Sequence, residues 1–243
     1  MKAFLKLLKV EGRLMLRSVD IIFFGICMPV GILLLIGMIH KDGEGSTMIQ
    51  SSFAALSTVG ICATAFMGIP LTITTYRERK ILKHFFTTPV SPIMLLLVQV
   101  TMNVMVCCLS AILVYLAAKL FFDYQMMGSG VQFLGAYLLV MLLMFSLGMM
   151  IASVCPTTKE SNVLCSVVYF PMLFLSGATI PFEIFPKFLR NITSVLPLSQ
   201  GIQLLKSCSM NEAYGNVGIA ILVMVASIVI GVVVSAKTFR WEA

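Results

Sequence analysis

The residue types that could do chemistry in this chain are concentrated in one polar stretch, residues 76–92. In a chain of which only 11% is charged, six polar side chains lie within eight positions: Arg77, Glu78, Arg79, Lys80, Lys83 and His84. An apolar edge beside them consists of Leu82, Phe85 and Phe86. Nothing in residues 77–86 breaks a helix, and Pro89 ends it because the helical region is disfavoured before a proline. Such a helix is suited to binding a soluble partner; the alternative is a solvated loop that only fixes membrane topology.

The rest of the chain offers little other chemistry. No Asp, Glu, Lys, Arg or His lies inside its six long apolar segments, whereas ion-coupled carriers need an ionisable group at membrane depth. Intramembrane proteases need paired catalytic groups there, and the chain has no GxxxxGK[ST] loop to bind nucleotide phosphates. We therefore predict a non-catalytic protein. Any energy for moving a substrate has to come from another polypeptide.

The cysteines are interpreted as core residues. The chain has seven, and most lie in apolar segments: Cys27, Cys62, Cys107, Cys108 and Cys165. Cysteines in such positions behave as small hydrophobic side chains. We expect neither a disulfide framework nor a metal site.

The composition predicts an all-α membrane protein. The chain is 59% hydrophobic with a mean hydropathy of +1.02, so it lacks the charges to cover a soluble domain of its length. A run of about 20 apolar residues crosses a bilayer as a helix. Six segments qualify and form one transmembrane domain: residues 21–39, 51–75, 93–118, 131–154, 162–180 and 216–236.

The N-terminal segment, residues 1–20, is predicted to form an amphipathic helix in the membrane interface. Five basic residues fall on one side of such a helix: Lys2, Lys6, Lys9, Arg13 and Arg17. The opposite side is apolar, so the basic side would face anionic lipid headgroups. A signal peptide is the alternative, but no small-residue cleavage site follows.

The distribution of basic residues predicts the membrane topology. Of 17 Lys and Arg residues, 12 lie in four segments, residues 1–20, 76–92, 155–161 and 237–243. Because basic residues are enriched in cytoplasmic segments, we predict a multi-pass plasma-membrane protein with both termini in the cytoplasm. Its net charge of +7 lies mostly in these segments, which favours membrane lipids and not nucleic acid as partners.

Two structural details follow from prolines and small residues. Residues 181–206 contain three prolines and no run long enough to cross, which predicts a re-entrant segment of two short helices in the outer leaflet. Pro70 predicts a kink in the second span, with nearby threonine hydroxyls bonding the freed carbonyls. The last span carries a ridge that lets another helix approach closely, formed by Ser227, Gly231 and Ser235.

Two blocks of the sequence resemble the permeases of type-2 ATP-binding-cassette transporters. The first is similar to that family's first cytoplasmic loop and comprises Arg77-Glu78, Leu82 and Thr88-Pro89-Val90-Ser91. The second is similar to the family's segment between the fifth and sixth spans and comprises Leu175-Ser176-Gly177, Pro181-Phe182-Glu183, Pro186 and Leu196-Pro197-Leu198. The chain departs from the family where Leu196 replaces a common Asn and Phe188 replaces a frequent Trp. With the interfacial helix and the spans, the resemblance covers essentially the whole chain.

The resemblance implies a homo- or heterodimeric permease with separate ATPase subunits docked below it. ATP and Mg would bind to those subunits, and no cofactor would bind to this chain. The coupling residues would be Arg77, Glu78, Arg79, Lys80, Leu82, Lys83, Phe85 and Phe86. The outer gate would consist of Pro181, Phe182, Glu183, Pro186, Phe188 and Pro197.

We expect a substrate pocket between the two copies. Its candidate lining residues are Thr58, Thr64, Gln99, Asn103, Ser166 and Tyr169, although amides such as Gln99 and Asn103 more often bond to a neighbouring helix. Uncharged walls in a chain with 18 methionines favour a hydrophobic or amphipathic substrate, such as a drug, lipid or peptide. Export is expected by family analogy. The alternatives are a non-transporting scaffold that recruits a soluble partner and, less favoured, an ion-coupled secondary carrier.

Overall fold

The part of the chain that the computed structural model describes contains helices and turns and no strand. It comprises residues 2–39, 45–81, 92–177, 188, 196–210 and 217–239. The helices are α1 (Lys2–Met15), α2 (Val19–Ile22), α3 (Met28–Ile39), α4 (Gly45–Ala63), α5 (Ile69–Glu78), α6 (Pro92–Phe122), α7 (Gly130–Val154), α8 (Thr158–Leu175), α9 (Pro197–Met210) and α10 (Val217–Thr238). Short π-helical segments join α2 to α3 and α4 to α5, namely Phe23–Cys27 and Thr64–Gly68.

Five of the described helices are long and apolar enough to cross a membrane. They are Val19–Ile39, Ile49–Glu78, Met94–Phe122, Gly130–Val154 and Val217–Thr238. These helices confirm the prediction of an all-helical protein with several membrane-spanning segments, and they overlap the first four predicted spans and the last one.

The sixth span and the re-entrant segment stay predictions. The predicted span at residues 162–180 coincides with α8, which is not among the five because it starts with several charged and polar residues. The predicted re-entrant segment lies largely outside the described residues. The C-terminal part of the predicted segment is described: it belongs to α9, which begins at Pro197 and ends at Met210, beyond the predicted end at residue 206.

The second span, Ile49–Glu78, forms the centre of the bundle. Its first part packs against α3, α6 and α9, and α5 packs against α7 and α8. Small side chains allow these close approaches: a Cβ at Gly60 would lie 2.9 Å from the Gly25 carbonyl oxygen, and one at Gly148 would clash with the Ala65 carbonyl. The core is therefore built around one almost completely enclosed helix.

The two π-helical segments each precede a proline. Phe23–Cys27 ends two residues before Pro29, and Thr64–Gly68 ends two residues before Pro70. A proline lacks the N–H for the usual bond and clashes with the carbonyl four residues earlier, which a wider turn relieves. The expected distortion at Pro70 is thus a π-helical turn. Of the nearby threonines, Thr74 donates to the Pro70 carbonyl at 2.8 Å.

The predicted small-residue ridge of the last span does permit a close helix contact, and its partner is α7 of the same chain. A Cβ at Gly231 would lie 2.9 Å from Ser146 Oγ. Ser235 donates to the Met149 carbonyl at 3.5 Å. Helix α10 is thereby held along α7; it also packs against α9, and many of its other side chains are exposed.

Candidate functional site

Three consecutive residues at the end of α5 connect this helix to several other parts of the bundle. We call Tyr76, Arg77 and Glu78 the junction. Successive residues on a helix point about 100° apart, so three in a row reach in different directions. Each of them makes its own hydrogen bonds, and together they contact the ends of α1, α7 and α8.

Tyr76 connects α5 to α1 through a buried carboxylate. Its hydroxyl donates to Glu11 Oε1 at 2.7 Å, and Gln99 Nε2 donates to Glu11 Oε2 at 2.6 Å. Glu11 is only 7% exposed. One carboxylate of the interfacial helix therefore joins α1, α5 and α6.

Arg77 is buried and binds the end of α7. It is 3% exposed, and its Nη1 donates to the carbonyls of Ala152 at 3.1 Å and Cys155 at 2.8 Å. A cation is favourable there because the last carbonyls of a helix carry partial negative charge. Its guanidinium carbon lies 5.5 Å from the centre of the Phe239 ring, a cation–π distance. Nε and Nη2 have no hydrogen-bond partner in the described structure.

Glu78 binds the start of α8. Its Oε2 accepts hydrogen bonds from Thr158 Oγ1 at 2.6 Å and from the Thr158 N–H at 3.3 Å. Helix N-termini have free N–H groups and partial positive charge, so a carboxylate is favourable there. Thr157 caps the same helix by accepting from the Glu160 N–H.

The chain turns sharply directly after the junction. Helix α5 ends at Glu78, and Lys80 has a φ of 55°, in the left-handed region. The Lys80 N–H donates to the Arg77 carbonyl at 3.0 Å, which tightens the last turn. A left-handed residue ends a helix, so the prediction of one unbroken helix over residues 77–86 is wrong. Arg79 and Lys80 are exposed.

The other predicted coupling and gate residues are mostly outside the described residues. Those without a description are Leu82, Lys83, Phe85, Phe86, Pro181, Phe182, Glu183 and Pro186. Phe188 is described and is 73% exposed, and Pro197 is the first residue of α9. Both assignments stay predictions.

A cavity of about 400 Å³ lies beside the junction, between α1, α2, α5 and α6. Its polar lining includes Glu11, Asp20, Tyr76, Arg79, Gln99 and Asn103. The remaining lining is mainly apolar. Among the residues that the structure describes, no group of three His, Cys, Asp or Glu side chains is arranged to hold a metal.

The structure does not bring the six predicted pocket residues together. Gln99 and Asn103 share the cavity, where Asn103 Nδ2 also donates to the Gln99 carbonyl at 2.8 Å. Thr58, Thr64 and Tyr169 are fully enclosed within the chain, and Ser166 is half-buried. The predicted pocket between two copies stays a prediction.

Glu11 is a site residue that was not predicted from the sequence. The available signal was that it is the single acidic residue of an otherwise basic helix, α1. It lies roughly 200° around the helix from Lys9, opposite the basic side. An acid on the core-facing side of a basic helix indicates a buried partner, and the structure supplies Tyr76 and Gln99.

The described fold defines a multi-pass helical membrane protein with a polar junction at one end of its bundle. The family model of the ABC-2 type transporter matches residues 2–210, so the chain belongs to this family. It is similar to nodulation protein J of Rhizobium leguminosarum bv. viciae, with 33% identity over 95 residues, 39% of this chain and 37% of that protein. It is also similar to nodulation protein J of Rhizobium meliloti (strain 1021), with 30% identity over 76 residues, 31% of this chain and 29% of that protein. Less than half of either relative is matched.

Proposed function

We propose that this chain is the permease subunit of an ATP-driven exporter and that a separate ATPase subunit docks on residues 76–92. The observation that carries this proposal is the junction. Tyr76, Arg77 and Glu78 lie directly before the exposed turn and bond to α1, α7 and α8. A force applied to the docking segment would therefore reach several helices at once.

Family membership supports the need for a partner. The chain has no phosphate-binding loop of its own, and ABC-2 permeases imply an ATPase subunit. ATP and Mg would bind to that subunit. Arg79 and Lys80 are exposed and would contact it, together with Leu82, Lys83, Phe85 and Phe86. Arg77 would contribute from inside by fixing the base of the docking segment.

In the proposed mechanism, ATP binding draws two ATPase subunits together and displaces the docking segments of two permease copies. The junction passes this displacement to α1 and to the connection between α7 and α8. The spans then rock, and a hydrophobic or amphipathic substrate moves past the outer segment, residues 181–206, to the far side. The uncharged spans and the 18 methionines support this substrate class.

Copurification and transport test the proposal. We expect the chain to copurify with an ATP-binding-cassette ATPase and to transport substrate in liposomes only with ATP. The double variant Arg79→Glu, Lys80→Glu should lose the ATPase, because its charges face the partner. Lys119→Glu is the control. Lys119 is also exposed, but it lies near the C-terminal end of α6, away from the docking segment. Transport by the chain alone, driven by an ion gradient, would refute the proposal, and ATPase binding without transport would favour the scaffold.

A further inference from the structure

The cavity beside the junction has the volume of a ligand site. Its volume of about 400 Å³ falls in the range of pockets that hold small organic molecules, about 300–1,000 Å³. It is partly open and lies between α1 and α2 on one side and α5 and α6 on the other. All of its described lining belongs to a single chain, and it includes Gln99 and Asn103 of the predicted pocket.

Glu11 is a buried carboxylate without a positively charged partner among the described side chains. Both of its hydrogen-bond donors, the Tyr76 hydroxyl and the Gln99 amide, are neutral. No described Lys or Arg forms a salt bridge with it, and Arg79, which shares the cavity lining, is exposed. A buried charge without a counter-charge is costly. An ionised carboxylate accepts about four hydrogen bonds, so Glu11 can still accept from a ligand.

A second carboxylate lines the same cavity. Asp20 is exposed and shares the lining with Glu11. Asn103 also belongs to the lining, but its unpaired Oδ1 is completely buried and lies against Gly68, so a ligand in the cavity does not reach it. A ligand with N–H donors and positive charge would match the two carboxylates.

The other walls of the cavity are apolar and adaptable. They are formed by Leu14, Met15, Ile21, Met67, Leu71 and Met102. Methionine side chains are flexible and polarisable, so they adjust to differently shaped apolar ligands. A purely polar cation would gain nothing from this surface.

We propose that the cavity binds an amphipathic organic cation, with its N–H donors on Glu11 and its apolar body against the methionine-rich wall. This inference names the substrate class of the proposed exporter and rests on that function only for the transport that follows binding. Because Glu11 also holds Tyr76, an occupied site is directly connected to the junction.

Dye binding to the purified full chain in phosphatidylcholine nanodiscs tests the proposal. Rhodamine 123 is a cation with N–H donors, and fluorescein is an anion with the same xanthene ring system. Fluorescence polarisation should show saturable binding of rhodamine 123 and none of fluorescein. Glu11→Gln should raise the dissociation constant for rhodamine 123 at least about tenfold, because hydrogen bonds to charged groups are strong. Glu160→Gln, an equal change of charge at an exposed site on α8, should leave it unchanged.

A second variant keeps the test decisive if Glu11→Gln fails to fold. Leu71→Trp fills the cavity and keeps the carboxylate, and it should abolish rhodamine 123 binding in a protein that still elutes as wild type does. Unchanged binding in either folded variant, or equal binding of fluorescein, would overturn the inference.

Such a cation has two sources, a lipid with an amine headgroup and a free organic molecule. Competition with a soluble lipid distinguishes them. Displacement of the dye by dihexanoylphosphatidylethanolamine would assign the site to a lipid amine, and no displacement would assign it to a free organic cation. The assay contains no ATPase and no transport step. A negative dye result therefore overturns this inference alone, whereas failed copurification overturns the proposed function alone.

Discussion

At the scale of single residues, the junction depends on a few buried hydrogen bonds. Glu11 accepts from one tyrosine and one glutamine, and Arg77 donates to two carbonyls. Each bond joins helices that are far apart in the sequence. Losing one partner leaves the other buried without compensation, which costs more than the bond itself contributes.

Tyr76→Phe should destabilise the protein by about 1–3 kcal/mol, because it removes one of two donors to the buried carboxylate of Glu11. Thermal unfolding of the purified protein measures this. Tyr115→Phe is the control: this half-buried tyrosine forms aromatic contacts, which phenylalanine keeps. Its change should stay within about 0.5 kcal/mol, and equal effects of the two variants would contradict the role of Glu11.

The Cys155 thiol should react slowly with maleimides at pH 7.5. Burial, helped by the nearby Glu160 carboxylate, raises the pKa of this thiol above its ordinary value, and Arg77 opposes the shift only in part. The raised pKa lowers the fraction of reactive thiolate at any pH below it, so the rate should rise with pH. Mass spectrometry of single-cysteine variants would compare Cys155 with the partly exposed Cys208. Faster labelling of Cys155 would contradict this prediction.

At the scale of elements, helix packing depends on positions without room for a side chain. Gly148→Ala should destabilise the bundle by about 1–3 kcal/mol, because the added Cβ clashes with the Ala65 carbonyl and pushes α7 from the second span. The readout is the midpoint of thermal unfolding. Gly135→Ala lies on the same helix with nothing within 4 Å of the new Cβ, so it should be neutral or slightly stabilising. Equal midpoints would show that α7 is not tightly held.

The spans were predictable because apolar length is a local property of the sequence. The predictions at residues 21–39 and 131–154 agree closely with Val19–Ile39 and Gly130–Val154. The end of α5 was not predictable in this way. Its helix stops at Glu78, where Arg77 and Glu78 bond to distant α7 and α8, and no local helix breaker marks that position.

At the scale of the whole molecule, the contact between Glu78 and α8 should matter for coupling. Thr158→Val removes the shorter of its two hydrogen bonds, so transported substrate per ATP hydrolysed should fall severalfold in liposomes with the ATPase. Thr101→Val is the control, because Thr101 bonds only within its own helix, to the Leu97 carbonyl. A normal transport ratio in Thr158→Val would exclude this contact from the coupling path.

The candidate site was predictable only in part. The polar stretch was recognised from charge density, but Arg77 and Glu78 lie at the end of α5 and not inside one helix over residues 77–86. The partners of Arg77 and Glu78 were not foreseeable, because a cation at a helix C-terminus and a carboxylate at a helix N-terminus are recognised only once the helices are placed. Thr58 and Thr64, which are predicted to line a substrate pocket, bond to their own helix, at Ala55 and Gly60.

The contacts of the three junction residues differ in their access to solvent. The Arg77 bonds are buried and the Tyr76–Glu11 bond is partly buried, whereas the Glu78–Thr158 contact is exposed. Dissolved ions screen the attraction between an exposed carboxylate and the positive end of a helix dipole, and they leave buried contacts nearly intact. High ionic strength should therefore release α8 from the end of α5 first, while α1 and α7 stay attached. The connection from the docking segment to α8 would then be lost before the connections to α1 and α7.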